Sequence, residues 1–133
     1  MANEEKQHDQ ERYENEVIQL HTVVGVLKRE KKNAKSNLTR MLNQLTLTIS
    51  EEVYHRHKIV EVIGRLERLR DEVMRILEEL ETAYCKLQGE EKERKMSEEI
   101  EEINEQVDRE LSQARVIMLT QVSSLCNACN VVS

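Results

Sequence analysis

The sequence predicts an all-α fold, an elongated antiparallel three-helix bundle or coiled coil that associates into oligomers, on three observations. The 133 residues contain no proline, phenylalanine or tryptophan and only three glycines, while 35% are charged, the profile of long helices. Apolar residues recur at alternating spacings of three and four along three stretches of similar length. Two short interruptions, near residues 50 and 89, separate them. A chain of this size makes one domain with one core. That core must come from Leu, Ile, Val, Met and three tyrosines, which layered helices can pack.

The first stretch runs through Tyr13, Val17, Leu20, Val24, Leu27, Ala34, Leu38, Met41 and Leu45. With Val17 at position a, the a row is Val17, Val24, Lys31, Leu38 and Leu45, and the d row is Tyr13, Leu20, Leu27, Ala34 and Met41. Lys31 is the single break. The register agrees on both sides of it, which predicts one helix over 10–48. Gly25 weakens that helix by roughly 1 kcal/mol against alanine without shifting its register. The β-branched run at "TLTISEEV" then ends it, and Ser50, followed by Glu51 and Glu52, reads as the cap of the next helix.

The second helix, expected over 52–88, places Ile59, Leu66, Val73, Leu80 and Leu87 in one row and Val62, Leu69, Ile76 and Ala83 in the other. Ile63, Leu77 and Tyr84 widen the stripe beyond a two-stranded seam, which suits a bundle. Gly89 marks the second break. In the third helix, expected over 92–125, Met96, Ile100, Ile103, Val107, Leu111, Ala114, Met118, Val122 and Leu125 step by 4, 3 and 4, an eleven-residue period. Such a period favours a straight or slightly right-handed helix, so an imperfect bundle is expected over a uniform coiled coil. Helices of this length span roughly 50 Å, and short turns fold them up-down-up. The bundle thus covers 10–125, with polar tails at 1–9 and 126–133 expected to be flexible.

The formal charge of −6 is unevenly spread: residues 28–40 hold six bases and one acid, leaving −11 for the rest. No run reaches the 18 or so apolar residues of a membrane span, and the N-terminus lacks signal-peptide form, so the expected location is cytoplasmic. Three cysteines without framework spacing point to reduced thiols. Without a secretory route, the Asn37-Leu38-Thr39 sequon is a chance match.

Chemistry-bearing patterns are few. His55 and His57 open the second helix and Cys126 and Cys129 close the third, so a hairpin turning near residue 90 brings both pairs to one end. Tetrahedral zinc accepts such ligands, but residues i and i+2 point apart on a helix, and exposed histidines beside a thiol-bearing tail are the favoured reading. The lone Cys-x-x-Cys has no βαβ setting for redox work. Cys85, beside Tyr84 at the core stripe, reads as a buried inert thiol. There is no phosphate loop, no His-Glu-x-x-His and no nucleophile–base pair, so neither enzyme activity, nor a cofactor, nor a small-molecule substrate is expected. The acidic run from Glu90 to Glu110, with ten acids and four bases, reads as a solvated helix face.

The basic stretch supplies a candidate polyanion face of Lys28, Arg29, Lys31, Lys32, Lys35 and Arg40. A leucine-zipper basic region sets an asparagine and an alanine three positions apart, whereas Asn33 and Ala34 are adjacent, and the apolar seam passes through the stretch by way of Ala34 and Leu38. Sequence-specific DNA reading is therefore disfavoured. Nonspecific attraction of nucleic acid or anionic membrane remains the alternative to a solvated face.

At "KKNAKSNLTRMLNQLTLTI", followed by a Glu-rich helical hairpin from Val53 to Met118, the chain resembles the N-terminal coiled-coil region of Gag-like polyproteins from BEL/Pao-type retrotransposons. The likeness rests on the basic lead-in, the Leu38-Thr39-Arg40 step, the Asn- and Leu-rich turn from Met41 to Leu47, the heptad helix and Tyr84. It spans about 90 residues with motifs of low specificity. The resemblance implies a non-enzymatic, self-associating assembly module. The chain departs from the pattern at Ser133, where a capsid-like domain, zinc knuckle or protease would be expected to follow. A spectrin-like repeat has a similar three-helix shape but usually shows core tryptophan.

The expected function is thus self-association or scaffolding, with a second copy or another helical protein as partner. Its seam residues are Val17, Leu20, Val24, Leu27, Leu38, Met41, Leu45, Leu66, Leu69, Val73, Ile76 and Leu80. Lys31, polar at an a position, is placed to fix register or oligomer state.

Overall fold

The computed structural model describes residues 2–132, with side chains described for 9–121. Three α-helices follow one another: α1 (Ala2–Ile49), α2 (Arg56–Lys86) and α3 (Glu90–Val132). The order is that of an up-down-up bundle. Arg70 on α2 meets Asp108 on α3 at 2.9 Å while Glu67 meets Arg115 at 3.7 Å, so one helix rises as the other falls. The short connection between α1 and α2 likewise returns the chain along α1, and Leu20, Val23 and Leu27 line one groove with Arg75, Thr82 and Lys86 of α2. The tails expected at 1–9 and 126–133 fall almost wholly outside the residues whose side chains are described.

The three apolar rows meet in one core. Leu45, Leu66, Val73, Ile76, Leu77, Leu80 and Val107 are fully or almost fully enclosed, and no polar or charged side chain is buried with them among the described residues. Of the predicted seam, Val24, Leu27, Leu38 and Leu45 on α1 and Leu66, Val73, Ile76 and Leu80 on α2 are buried, while Leu20, Met41 and Leu69 pack at its edge. Leu42, outside both predicted rows, is also buried. A straight helix drifts about 20° per heptad against an exact seven-residue repeat, which carries Leu42 into the position Met41 was expected to fill. On α3 the eleven-residue spacing holds, with Met96, Ile103, Val107, Leu111 and Ala114 buried and Ile100 and Met118 beside them.

Both connections differ from the sequence expectation. α2 starts at Arg56 instead of near residue 52, with His55 as an extended N-cap residue that makes no side-chain cap bond and with no acid in the first turn. Ser50 finishes α1 instead: its hydroxyl and its amide both donate to the Thr46 carbonyl, at 2.7 Å and 3.2 Å. A serine can serve either helix end, and here the carbonyls left free at the end of α1 claim it.

At the second break the left-handed residue is Gln88, with φ 58°, while Gly89 has no positive φ. Gly89 N–H donates to the Tyr84 carbonyl at 2.9 Å and Gln88 N–H to that of Cys85 at 3.1 Å. This is the Schellman pattern, one residue earlier than the glycine suggested. The Gly89 carbonyl then accepts from Glu93 N–H at 2.9 Å, opening α3 at once. Cys85 is exposed, correcting the expectation of a buried thiol. Tyr84 occupies the core side, and a neighbouring residue lies about 100° further round the helix.

Candidate association surface

The 48 residues of α1 give about 72 Å of helix, against about 46 Å for the 31 residues of α2. Because Leu20 and Val23 line one groove with the last turns of α2, up to Lys86, the part of α1 before residue 20 continues past the α2–α3 turn. Every side chain from Asp9 to Glu16 is exposed. Tyr13 and Val17 lie on the same helix face as Val24 and Leu27, yet Tyr13 is 64% exposed and Val17 only half-buried. The seam therefore runs on beyond its intramolecular cover.

Other apolar side chains of α1 are exposed on different faces. Ile18 is 62% exposed, Val23 48% and Val26 43%. These residues and Tyr13 fall within four turns of one helix. Sequence reasoning passed over Ile18 and Val26 because they lie outside the heptad rows, though an apolar residue at a b or c position was a visible signal.

The basic stretch is divided by its surroundings. Lys31 and Lys35 converge on Glu99 of α3, Lys31 Nζ donating to Oε2 at 3.4 Å and Lys35 Nζ to Oε1. Burial alone would raise the pKa of the Glu99 carboxyl, but the hydrogen bond from Lys35 and the charges of Lys31 and Lys35 outweigh it and hold the group below its ordinary value. Lys31, the polar break in the a row, thus ties α1 to α3 within one chain. Lys28, Arg29, Lys32 and Arg40 remain exposed, Arg40 donating only to its neighbour Asn37 along the helix. The six predicted cations therefore form two groups, one tying helices together and one facing solvent.

His55 and His57 sit at the start of α2 with ring centroids 5.8 Å apart, His57 exposed. The helix begins between them, and Cys126 and Cys129 lie outside the described side chains. Among the described residues, no cluster of three or more His, Cys, Asp or Glu side chains is placed to hold a metal ion. No described helix is long and apolar enough to cross a membrane. No protein-family profile, curated protein or solved structure matches this chain.

Proposed function

We propose that this protein is a non-enzymatic self-association module that joins copies of itself through α1. The observation that carries the reading is the apolar surface of α1 left uncovered by α2 and α3: Tyr13, Ile18, Val23 and Val26. Ile18 and Val26 share one face of that helix, and neighbouring exposed apolar side chains mark an association surface where singly scattered ones do not. A scaffolding role of this kind, including Gag-like assembly, is also what the family resemblance implies.

Mass in solution tests it. Light scattering over a dilution series is expected to give a dimer or larger species that dissociates on dilution, and Ile18→Glu, at an exposed position, is expected to give monomers with unchanged helix content. A wild-type protein that stays monomeric at every concentration would end this reading.

A second reading is supported by the four exposed cations, Lys28, Arg29, Lys32 and Arg40, which are free to meet a polyanion. Its signature is affinity for RNA or anionic vesicles that falls steeply with salt and disappears when these four are neutralised. Lys31 and Lys35 are omitted from that variant because they serve the fold.

A further inference from the structure

The face of α1 directed away from the core carries a stripe of its own. Glu11, Asn15, Ile18, Thr22, Val26 and Arg29 step by four, three, four, four and three, and all six are exposed. At about 100° per residue these positions stay within one side of the helix, opposite Leu27 and Leu38. The stripe is acidic at its start, apolar or neutral in its middle and basic at its end. Residues 9–16 hold four acids and one base, and the exposed cations Lys28, Arg29 and Lys32 follow the apolar centre.

We infer that a second copy of this chain docks here, antiparallel, about a two-fold axis passing close to Thr22. In that arrangement Ile18 meets Val26 of the second copy, Thr22 meets Thr22, and Asn15 meets Arg29. The acidic start of each helix then lies along the basic end of the other. Glu14 and Lys32 flank the stripe on the same side, and an antiparallel pair brings equal flanks together, so these two approach across the interface. Parallel pairing would instead set acid against acid and base against base, which is destabilising. A surface that matches itself after a half-turn is what an isologous dimer requires. The exposed cations thus gain a role without a nucleic acid or a membrane.

The inference rests on the self-association reading and adds to it the partner surface and its direction. Charge reversal separates the two, because Glu11, Glu14, Arg29 and Lys32 take part in no ion pair of the bundle among the described residues. Sedimentation equilibrium at low salt is expected to show the dimer of Glu11→Lys/Glu14→Lys at least ten-fold weaker than wild type. Adding Arg29→Glu and Lys32→Glu, which exchanges the two charged ends, is expected to restore it.

Disulfide trapping, in a background with Cys85, Cys126 and Cys129 changed to serine, gives direction independently. Thr22→Cys is expected to cross-link two copies, and Asn15→Cys alone is not. A dimer indifferent to charge reversal, or one trapped by Asn15→Cys alone, would overturn the antiparallel pairing and leave self-association standing. A wild-type monomer would remove both.

Discussion

Replacing Glu99 by glutamine keeps the shape of the side chain and removes the charge on which Lys31 and Lys35 converge. The variant is expected to lose about 1–2 kcal/mol at neutral pH, between the value of a surface pair and that of a charged hydrogen bond in partial burial. Its pH dependence is more diagnostic. The Glu99 carboxyl titrates lower in the folded chain than in the unfolded one, so its contribution is complete above the unfolded pKa and is lost as pH falls through the folded one. Urea titrations should therefore show the wild-type advantage over Glu99→Gln shrinking below about pH 5. An equal gap at pH 3 and pH 7 would assign the loss to packing. The Lys31 position was visible in the sequence as a break in the heptad. Its partner was not, because pairing across helices depends on how far α3 is shifted along α1, which neither periodicity records. Cys85 offers a simpler check: a thiol-specific reagent should modify it in the native protein of a Cys126→Ser/Cys129→Ser variant, at a rate close to that in denaturant.

Among the elements, the α2–α3 turn holds a mismatch between residue type and conformation. Gln88 adopts the left-handed region, which costs a residue with a β-carbon roughly 1 kcal/mol, while the adjoining glycine does not use its freedom. Gln88→Gly is expected to raise stability by about 0.5 kcal/mol, part of the relief being offset by the greater freedom of glycine in the unfolded chain. Gly89→Ala should be nearly neutral, since an added β-carbon would come no closer than 3.6 Å to the Tyr84 carbonyl oxygen. Thermal denaturation of the two variants distinguishes this turn from one that relies on Gly89. A glycine in the sequence locates such a turn to within a residue, because the Schellman hydrogen bonds decide which residue turns left-handed. Ser50 shows the same limit, as its type suits either helix end and only the local carbonyls assign it.

For the whole molecule, three helices and most of their buried faces were legible because burial imposes its period directly on the sequence. Leu66, Val73, Ile76 and Leu80 lie in the rows that spacing alone defines and are all buried. What spacing does not contain is where a neighbouring helix stops. Tyr13 and Val17 continue the a and d rows as regularly as Val24 and Leu27, yet α2 has already ended beside Leu20. The outward stripe escaped for a related reason: its charges and apolar side chains become one surface only once the core side of α1 is known. Three helices connected in this order can also be wound in two ways that bury the same leucines, with the third helix on either side of the first two. On one flank of α1 lie Val23 and Leu27, beside α2; on the other lie Lys31 and Lys35, which pair with an acidic neighbour. Moving α3 across to the opposite side would carry Glu99 away from both lysines and toward Glu30. Glu99 of α3 therefore favours the winding in which it meets both lysines, a contribution to the handedness of the bundle that comes from charge and not from the apolar core.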